Sequence, residues 1–402
     1  MSRPRLAALA APVLAGALVF SGCSSTETAT TDGATTTTAV TGATPGAVDE
    51  AAVVKTYATL VEKSYIASVA SADKLRESIK TLTGDPTRAN LDAARKQWIA
   101  ARDDYSPTEA FRFYDGPIDE PEEGPEGQIN AWPMDEAYVD YVTGAAPTGI
   151  INNAGTYPTI TKEVVLEANE KDGETNISTG WHAIEFLLWG QDTSEEGPGN
   201  RPVSDYSSDT GAERRKTYLT LLTDILVEDL TGVAEQWAPD TADNYRTKFE
   251  ATPAESVGKM LRGIGALTAG ELAGERMSVA YETKDQEDEH SCFSDNTAAD
   301  VANNALGVQR VYLAQFPGVT GPSLSDLVKA KNADLDKKIV AQLDKTVKDT
   351  KAFPATFEKM IGAADGTAER KALGDAIAAL EEQGTLLSEA AKVLNVDVNF
   401  EV

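Results

Sequence analysis

From about Val48 onward, apolar residues recur every three or four positions with polar residues between them, the period of helices that bury one face. Val54, Tyr57 and Val61 set a first helix, and Gly84-Asp85-Pro86 breaks it. Thr87, a good capping residue, opens a second run through Leu91, Ala94, Trp98, Ala101 and Tyr105, which Pro107 interrupts. Short helices are expected near 134–143 and 159–169. Asn176–Trp189 ends in Ile184, Phe186, Leu187, Leu188 and Trp189, the composition of a buried helix. Further helices are expected at about 212–236, 255–280 and 299–314. In the next one Leu335, Ile339, Leu343 and Val347 step by four. Leu373, Ile377, Leu380, Gly384, Leu387, Ala391 and Leu394 alternate steps of four and three, as a bundle seam does. No run of alternating β-branched residues is long enough for a sheet. The pattern predicts an all-α fold of two helical bundles meeting around residues 195–215, with halves of about 48–205 and 206–402.

Two irregular stretches interrupt the helices. Asp115–Gln128 is acidic and dense in Gly and Pro, a long loop of the kind that often carries function. Gly190–Gly211 is a second polar loop.

The N-terminus has a different character. Arg3 and Arg5 precede an apolar run, Leu6 to Phe20, and then Ser21-Gly22-Cys23. This is the layout of a secretory signal over residues 1–22, with a run too short for a comfortable permanent span. A cysteine just after small residues resembles a bacterial lipobox and makes Cys23 the expected lipidated first residue of the mature chain. The alternative is an ordinary cleaved signal with an unmodified cysteine. Either way the expected location is outside the cytoplasm, periplasmic or cell-surface, with the membrane as a partner through the anchor. Residues 23–47, rich in Ser, Thr, Ala and Gly, read as a flexible tether.

Charge and rare residues narrow the chemistry. The formal net charge of −28 argues against nucleic acid as a partner. The chain has two cysteines, Cys23 and Cys292, and two histidines, His182 and His290. No structural zinc site of several Cys and His ligands fits in one such chain. With Cys23 lipidated, Cys292 is expected to be a buried thiol. Phosphate-cradling and dinucleotide loops, a His-Glu-x-x-His motif and a Cys-x-x-Cys-His haem site are absent.

Three segments concentrate candidate chemistry. In WHAIEFLLWG (181–190), His182 and Glu185 are three apart and share a helix face. Such a pair is either a structural hydrogen bond or two ligands for one cation. In WIAARDDYSPTEAFRF (98–113), Glu109 and Arg112 have the same spacing. They read as an ion pair, or as a ligand with the base that orients it. DQEDEHSCFSDNT (285–297) gathers Asp288, Glu289, His290, Asp295 and Asn296 after the Gly-rich GELAGERM (270–277). The cluster is either a solvated loop or a source of oxygen ligands and one imidazole.

These segments also carry a family resemblance. GWHAIEFLLWGQD (180–192) resembles the Gly-x-His-x-x-Glu signature of the imelysin, or M75 peptidase, family. TEAFRFYDGPID (108–119) and GELAGERMSVAYETKDQEDEHSCFSDNT (270–297) resemble its iron-regulated protein A branch, and the resemblance covers essentially all of the chain after the tether. It implies two related four-helix-bundle halves packed face to face, with the site in the groove between them. It implies His182, Glu185, Glu109 and Asp119 as metal ligands, with Arg112, Asp288, His290 and Asp295 lining the same groove. The implied cofactor is a metal ion, iron before zinc, and the implied function is iron acquisition: binding iron or an iron-bearing ligand, with membrane components of iron uptake as partners. The alternative is a metal-dependent peptidase. Against it, His182 and Glu185 offer only two ligands, and a third ligand and a general base would have to come from elsewhere. A third reading is a structural adaptor in which His182 and Glu185 only join the halves.

Overall fold

The computed structural model describes residues 48–194 and 197–401. The signal segment, Cys23 and the tether lie outside the described residues. Among the described residues the regular elements are all helices, and none is long and apolar enough to cross a membrane.

Eight longer helices carry the fold: α1 (Glu50–Gly84), α2 (Arg88–Tyr105), α3 (Gly180–Trp189), α4 (Ala212–Gln236), α5 (Pro253–Ala266), α6 (Thr297–Leu313), α7 (Ala333–Lys351) and α8 (Ala368–Val393). Local chemistry sets their ends. The Asp49 carboxylate accepts from the Ala51 amide, and the Thr87 hydroxyl accepts from the Asn90 amide. Helix α1 stops at Gly84, before Pro86.

Helix α4 packs on α1 and α3, and α1 packs along α2. These four make the first bundle. In the second, α8 packs on α7 and on the continuation of α5, and α7 packs on α6. The boundary expected near 195–215 would assign α4 to the second half. Its buried row, Tyr218, Leu219, Leu222, Ile225, Leu226 and Leu230, instead closes the core of the first. The bundles therefore change over after Gln236, although the larger apolar core runs through both and a smaller one lies under the first half of α8 at Leu373, Ile377 and Leu380. The helix expected at 134–143 is a single turn, Glu136–Val139, in a long irregular excursion between α2 and α3.

Two departures from α-geometry shape the junction. After α2 the chain tightens into a 3-10 turn, Ser106–Phe111, because Pro107 cannot continue the α ladder. That turn lies against α6, where Gly307 is required: a Cβ there would stand 2.3 Å from the Pro107 carbonyl oxygen. Helix α5 runs on as a π-helix, Leu267–Ser278, in which residues five apart become neighbours. Glu271 and Arg276 accordingly meet at 2.7 Å.

Candidate functional site: a buried histidine pair

The glycine of the Gly-x-His-x-x-Glu motif is a packing requirement. Gly180 has φ of 82°, and a Cβ would approach the Ile129 carbonyl oxygen to 2.5 Å. With that approach allowed, α3 enters the core directly, and every residue from Gly180 to Trp189 is buried. Trp98 fixes its first turn by donating its indole N–H to the Trp181 carbonyl at 3.1 Å.

His182 lies beside His290, the rings meeting edge to face at 4.6 Å between centroids. The indole of Trp132 covers both, at 5.3 Å from His182 and 6.3 Å from His290. Both imidazoles are buried, 1% and 2% exposed. Each is oriented through Nδ1 by a carboxylate: Glu185 Oε2 at 3.1 Å from His182, and Asp300 Oδ2 at 3.1 Å from His290. In each ring Nε2 is buried without a hydrogen-bond partner among the described residues. Buried polar atoms are normally satisfied, so two such atoms on adjacent rings are a chemical opening.

The two carboxylates are held differently. Asp300 accepts from Arg102 (Nη2 to Oδ2, 3.0 Å), Ser291 (2.6 Å), Asn296 (3.1 Å) and Ser106 (3.2 Å). Burial alone would raise its pKa, but Arg102 and His290 hold it well below the usual carboxylate range. His290 Nδ1–H therefore donates to an anion, and Nε2 carries the lone pair. Glu185 Oε1 accepts from the Ser294 amide (3.0 Å) and hydroxyl (2.6 Å), but burial dominates and its pKa rises to about 8. Burial pushes both histidines below their ordinary pKa, so both are neutral at pH 7, the ligand form of imidazole.

Glu109 belongs to a neighbouring cluster. Its carboxylate meets Arg276 at 2.6 Å, Arg112 at 3.3 Å, Asn304 at 3.3 Å and Arg102 at 3.9 Å. Against the cost of burial, the positive charges of Arg276, Arg102 and Arg112, joined by His290 once acid has protonated it, lower its pKa to about 2. Arg112 also pairs with Glu126 at 2.9 Å. Asp119 is engaged elsewhere: its carboxylate accepts from the backbone amides of Phe113, Tyr114 and Gly116 and ties down the 113–119 loop.

Of the residues singled out in the sequence, His182, Glu185 and His290 thus come together. Glu109 and Arg112 form the adjoining ion cluster, and Asp119 is a loop clasp. Asp288 lines a groove that leads to His290, whereas Asp295 does not line it. Cys292 is a buried free thiol, as expected. Among the described residues no group of three or more His, Cys, Asp or Glu stands ready to hold a metal ion. The fit to a metal therefore rests on the two imidazole Nε2 atoms, with further coordination left to water or to a ligand brought in with the ion. Sequence reasoning missed Arg102, Asn130, Trp132, Arg276, Ser294 and Asp300. Asp300 carried a usable signal, an acid on the apolar face of α6 between Thr297 and Ala305.

An all-α double bundle with a histidine and carboxylate centre near the bundle junction defines a class of helical proteins. The imelysin (peptidase M75) family model matches residues 61–387, and the chain belongs to that family. It is 25% identical over 333 residues to iron-regulated protein A of Synechococcus elongatus, covering 80% of this chain and 81% of that protein. It also superposes on a crystal structure from Parabacteroides distasonis, provisionally named an iron-regulated protein A precursor. The TM-score is 0.65 at 18% identity, with 86% of this chain and 96% of that one covered, a likeness of fold.

Proposed function

We propose that the protein is an extracytoplasmic lipoprotein that binds iron, alone or in a small iron-bearing ligand, and takes part in iron acquisition. The observation that carries this reading is the pair of buried Nε2 atoms without partners on His182 and His290. Each ring is oriented through Nδ1 by a carboxyl group, and for His290 the partner is the ionised Asp300, the arrangement that raises the basicity of a histidine ligand. Imidazole suits iron and zinc alike, and the name of the cyanobacterial relative favours iron. Cys23 would anchor the chain by lipid, and membrane components of iron uptake would receive the cargo. A peptidase reading finds less support. Glu185 has Oε1 bound by Ser294 and Oε2 by His182, which leaves it poorly placed to activate water.

Anaerobic calorimetry of Fe(II) with the purified protein tests the binding. The expected result is saturable binding that weakens at least about tenfold in both His182→Ala and His290→Ala, as loss of a ligand does. Absence of Fe(II) and Zn(II) binding in folded wild-type protein overturns it. Chelator-sensitive cleavage of an unfolded protein, abolished by Glu185→Gln, would establish the peptidase instead. For the anchor, Cys23→Ser should move the protein from the membrane fraction to the soluble one.

A further inference from the structure

A groove of about 580 Å³ reaches His290, the outer ring of the histidine pair, and its wall explains what can travel along it. His290 lines its floor, and Trp132, Pro133 and Asn130 form one side. Seven acids surround it: Glu126, Glu170, Glu174, Glu271, Glu275, Glu287 and Asp288. The π-helix brings three residues of this wall, Glu271, Glu275 and Arg276, to the same side of one short segment.

The lining contains two bases, Arg112 and Arg276, and both are already neutralised. Arg112 pairs with Glu109 and Glu126, and Arg276 with Glu109 and Glu271. No positive charge is left over to meet an anion. Acidic rims are common on an acidic protein and mean little by themselves. Here the rim leads to a buried imidazole whose Nε2 has no partner among the described residues, a donor atom at the end of a negatively charged passage. Such a passage concentrates cations and raises their association rate, and it repels anions by the same field.

We propose that this groove admits iron as a free hydrated cation and excludes anionic iron chelates, so that the cargo reaches His182 and His290 stripped of carboxylate chelators. This rests on the histidine pair as the metal-binding centre and adds the chemical form of the ion. Water then fills the coordination positions that the two imidazoles leave open. A carboxylate chelate would set its own charge against a lining in which seven acids face two bases.

The test is stopped-flow titration of the full-length protein with anaerobic Fe(II), and in parallel with ferric citrate and with citrate alone. Trp132, against both rings, reports occupancy by fluorescence, and Trp132→Phe identifies its share of the signal. Fe(II) association is expected to slow about tenfold between low salt and about 0.5 M salt. The triple variant Glu275→Gln, Glu287→Gln, Asp288→Asn should slow it by a similar factor at low salt. Neutralising three acids elsewhere (Glu50→Gln, Glu381→Gln, Glu382→Gln) should leave the rate within about twofold, which separates the local field from the net charge. Ferric citrate should bind at least about a hundredfold more weakly than Fe(II). Salt-independent Fe(II) association, an unchanged rate in the groove variant, or ferric citrate binding as tightly as Fe(II) overturns the proposal and leaves the histidine centre standing. If neither iron form binds to folded protein, the histidine centre falls, and this proposal with it.

Discussion

Two buried charge centres sit in this fold, and they differ in what they leave open. The first joins the loops around α3 to α4. Asp140 is fully buried, and each of its oxygens accepts two hydrogen bonds: from Asn152 and Arg215 on Oδ1, and from Arg201 and Arg215 on Oδ2. Asp205 closes it through Arg201 and Tyr141, and Arg201 Nε is left without a partner. The second centre, around His182 and His290, also has hydrogen-bonded carboxyl groups but ends in two imidazole nitrogens without partners among the described residues, with His290 on a groove. The first uses its acceptors to fasten the excursion onto the bundle. The second uses them to aim atoms that no described residue uses. Buried charge alone therefore does not mark a functional site; an oriented base without a partner does.

The largest expected effect breaks the closed centre. Asp140→Ala removes the carboxylate that Arg201 and Arg215 share, leaving Arg201 only the carboxylate of Asp205 and Arg215 only the more distant one of Asp209, and should cost about 3–5 kcal/mol. Urea denaturation measures the loss, and Fe(II) affinity of the folded fraction should stay within about twofold, because Asp140 shares no partner with the histidines. Loss of Fe(II) affinity equal to that of His182→Ala would show that the two centres act as one.

Acid should loosen the open centre from its edge. Glu109 has its pKa lowered to about 2 from the ordinary 4.5, chiefly by Arg276 against the cost of burial. A carboxyl depressed in the folded state contributes stability above its unfolded pKa and loses it as pH falls through the folded one. The expected contribution, up to about 3 kcal/mol, should be complete above about pH 5 and gone near pH 2. Denaturation midpoints across that window, in wild type and Glu109→Gln, check it. The variant should be flatter with pH over that interval, and equal slopes would remove Glu109 from the account.

A smaller effect should come from the motif glycine. Gly180→Ala places a methyl group against the Ile129 carbonyl oxygen and forces alanine to a φ of 82°. It should cost about 1–3 kcal/mol. It should also weaken Fe(II) binding, since α3 must shift to relieve the contact. Stability lost with binding unchanged would confine the glycine to a packing role.

These contrasts also show how far the sequence could be read. Helical periodicity recovered α2 with its Thr87 cap, α4 and the seam of α8, because each is a long amphipathic run whose pattern is local. It did not assign α4 to its bundle. Amphipathicity says that a face is buried, not against which partner. The π-helix was invisible for a related reason: its GELAGERM segment satisfies an α pattern equally well, and the five-residue pairing of Glu271 with Arg276 appears only in three dimensions. At the site, His182 with Glu185 follows from spacing, since both lie on one helix. The pairing of His182 with His290 spans 108 residues of chain, and no local signal carries it. Glu109 and Asp119 are acids in a resembling segment, but one sits among three arginines and the other clasps backbone amides. What an acid is for depends on the charges folding brings to it.

The smallest expected effect is the sharpest test of the comparison. His290→Phe removes one unpartnered nitrogen and one of several donors to Asp300, which keeps Arg102, Ser106, Ser291 and Asn296. A ring of similar shape still packs on Trp132 and His182. If the second centre exists to aim Nε2 and not to hold the fold, the loss of stability should be no more than about 1 kcal/mol, near the worth of a single hydrogen bond. Fe(II) binding should fall by at least about tenfold in the same variant. The corresponding change in the closed centre cannot be neutral, because every bond of Asp140 is structural. Thermal melts with and without Fe(II) give both readouts at once: wild type should gain stability from the metal through mass action, and His290→Phe should melt near the metal-free wild type whether or not Fe(II) is present. A loss of several kcal/mol in metal-free protein would put His290 on the same footing as Asp140, and the unpartnered nitrogen would then be a by-product of packing.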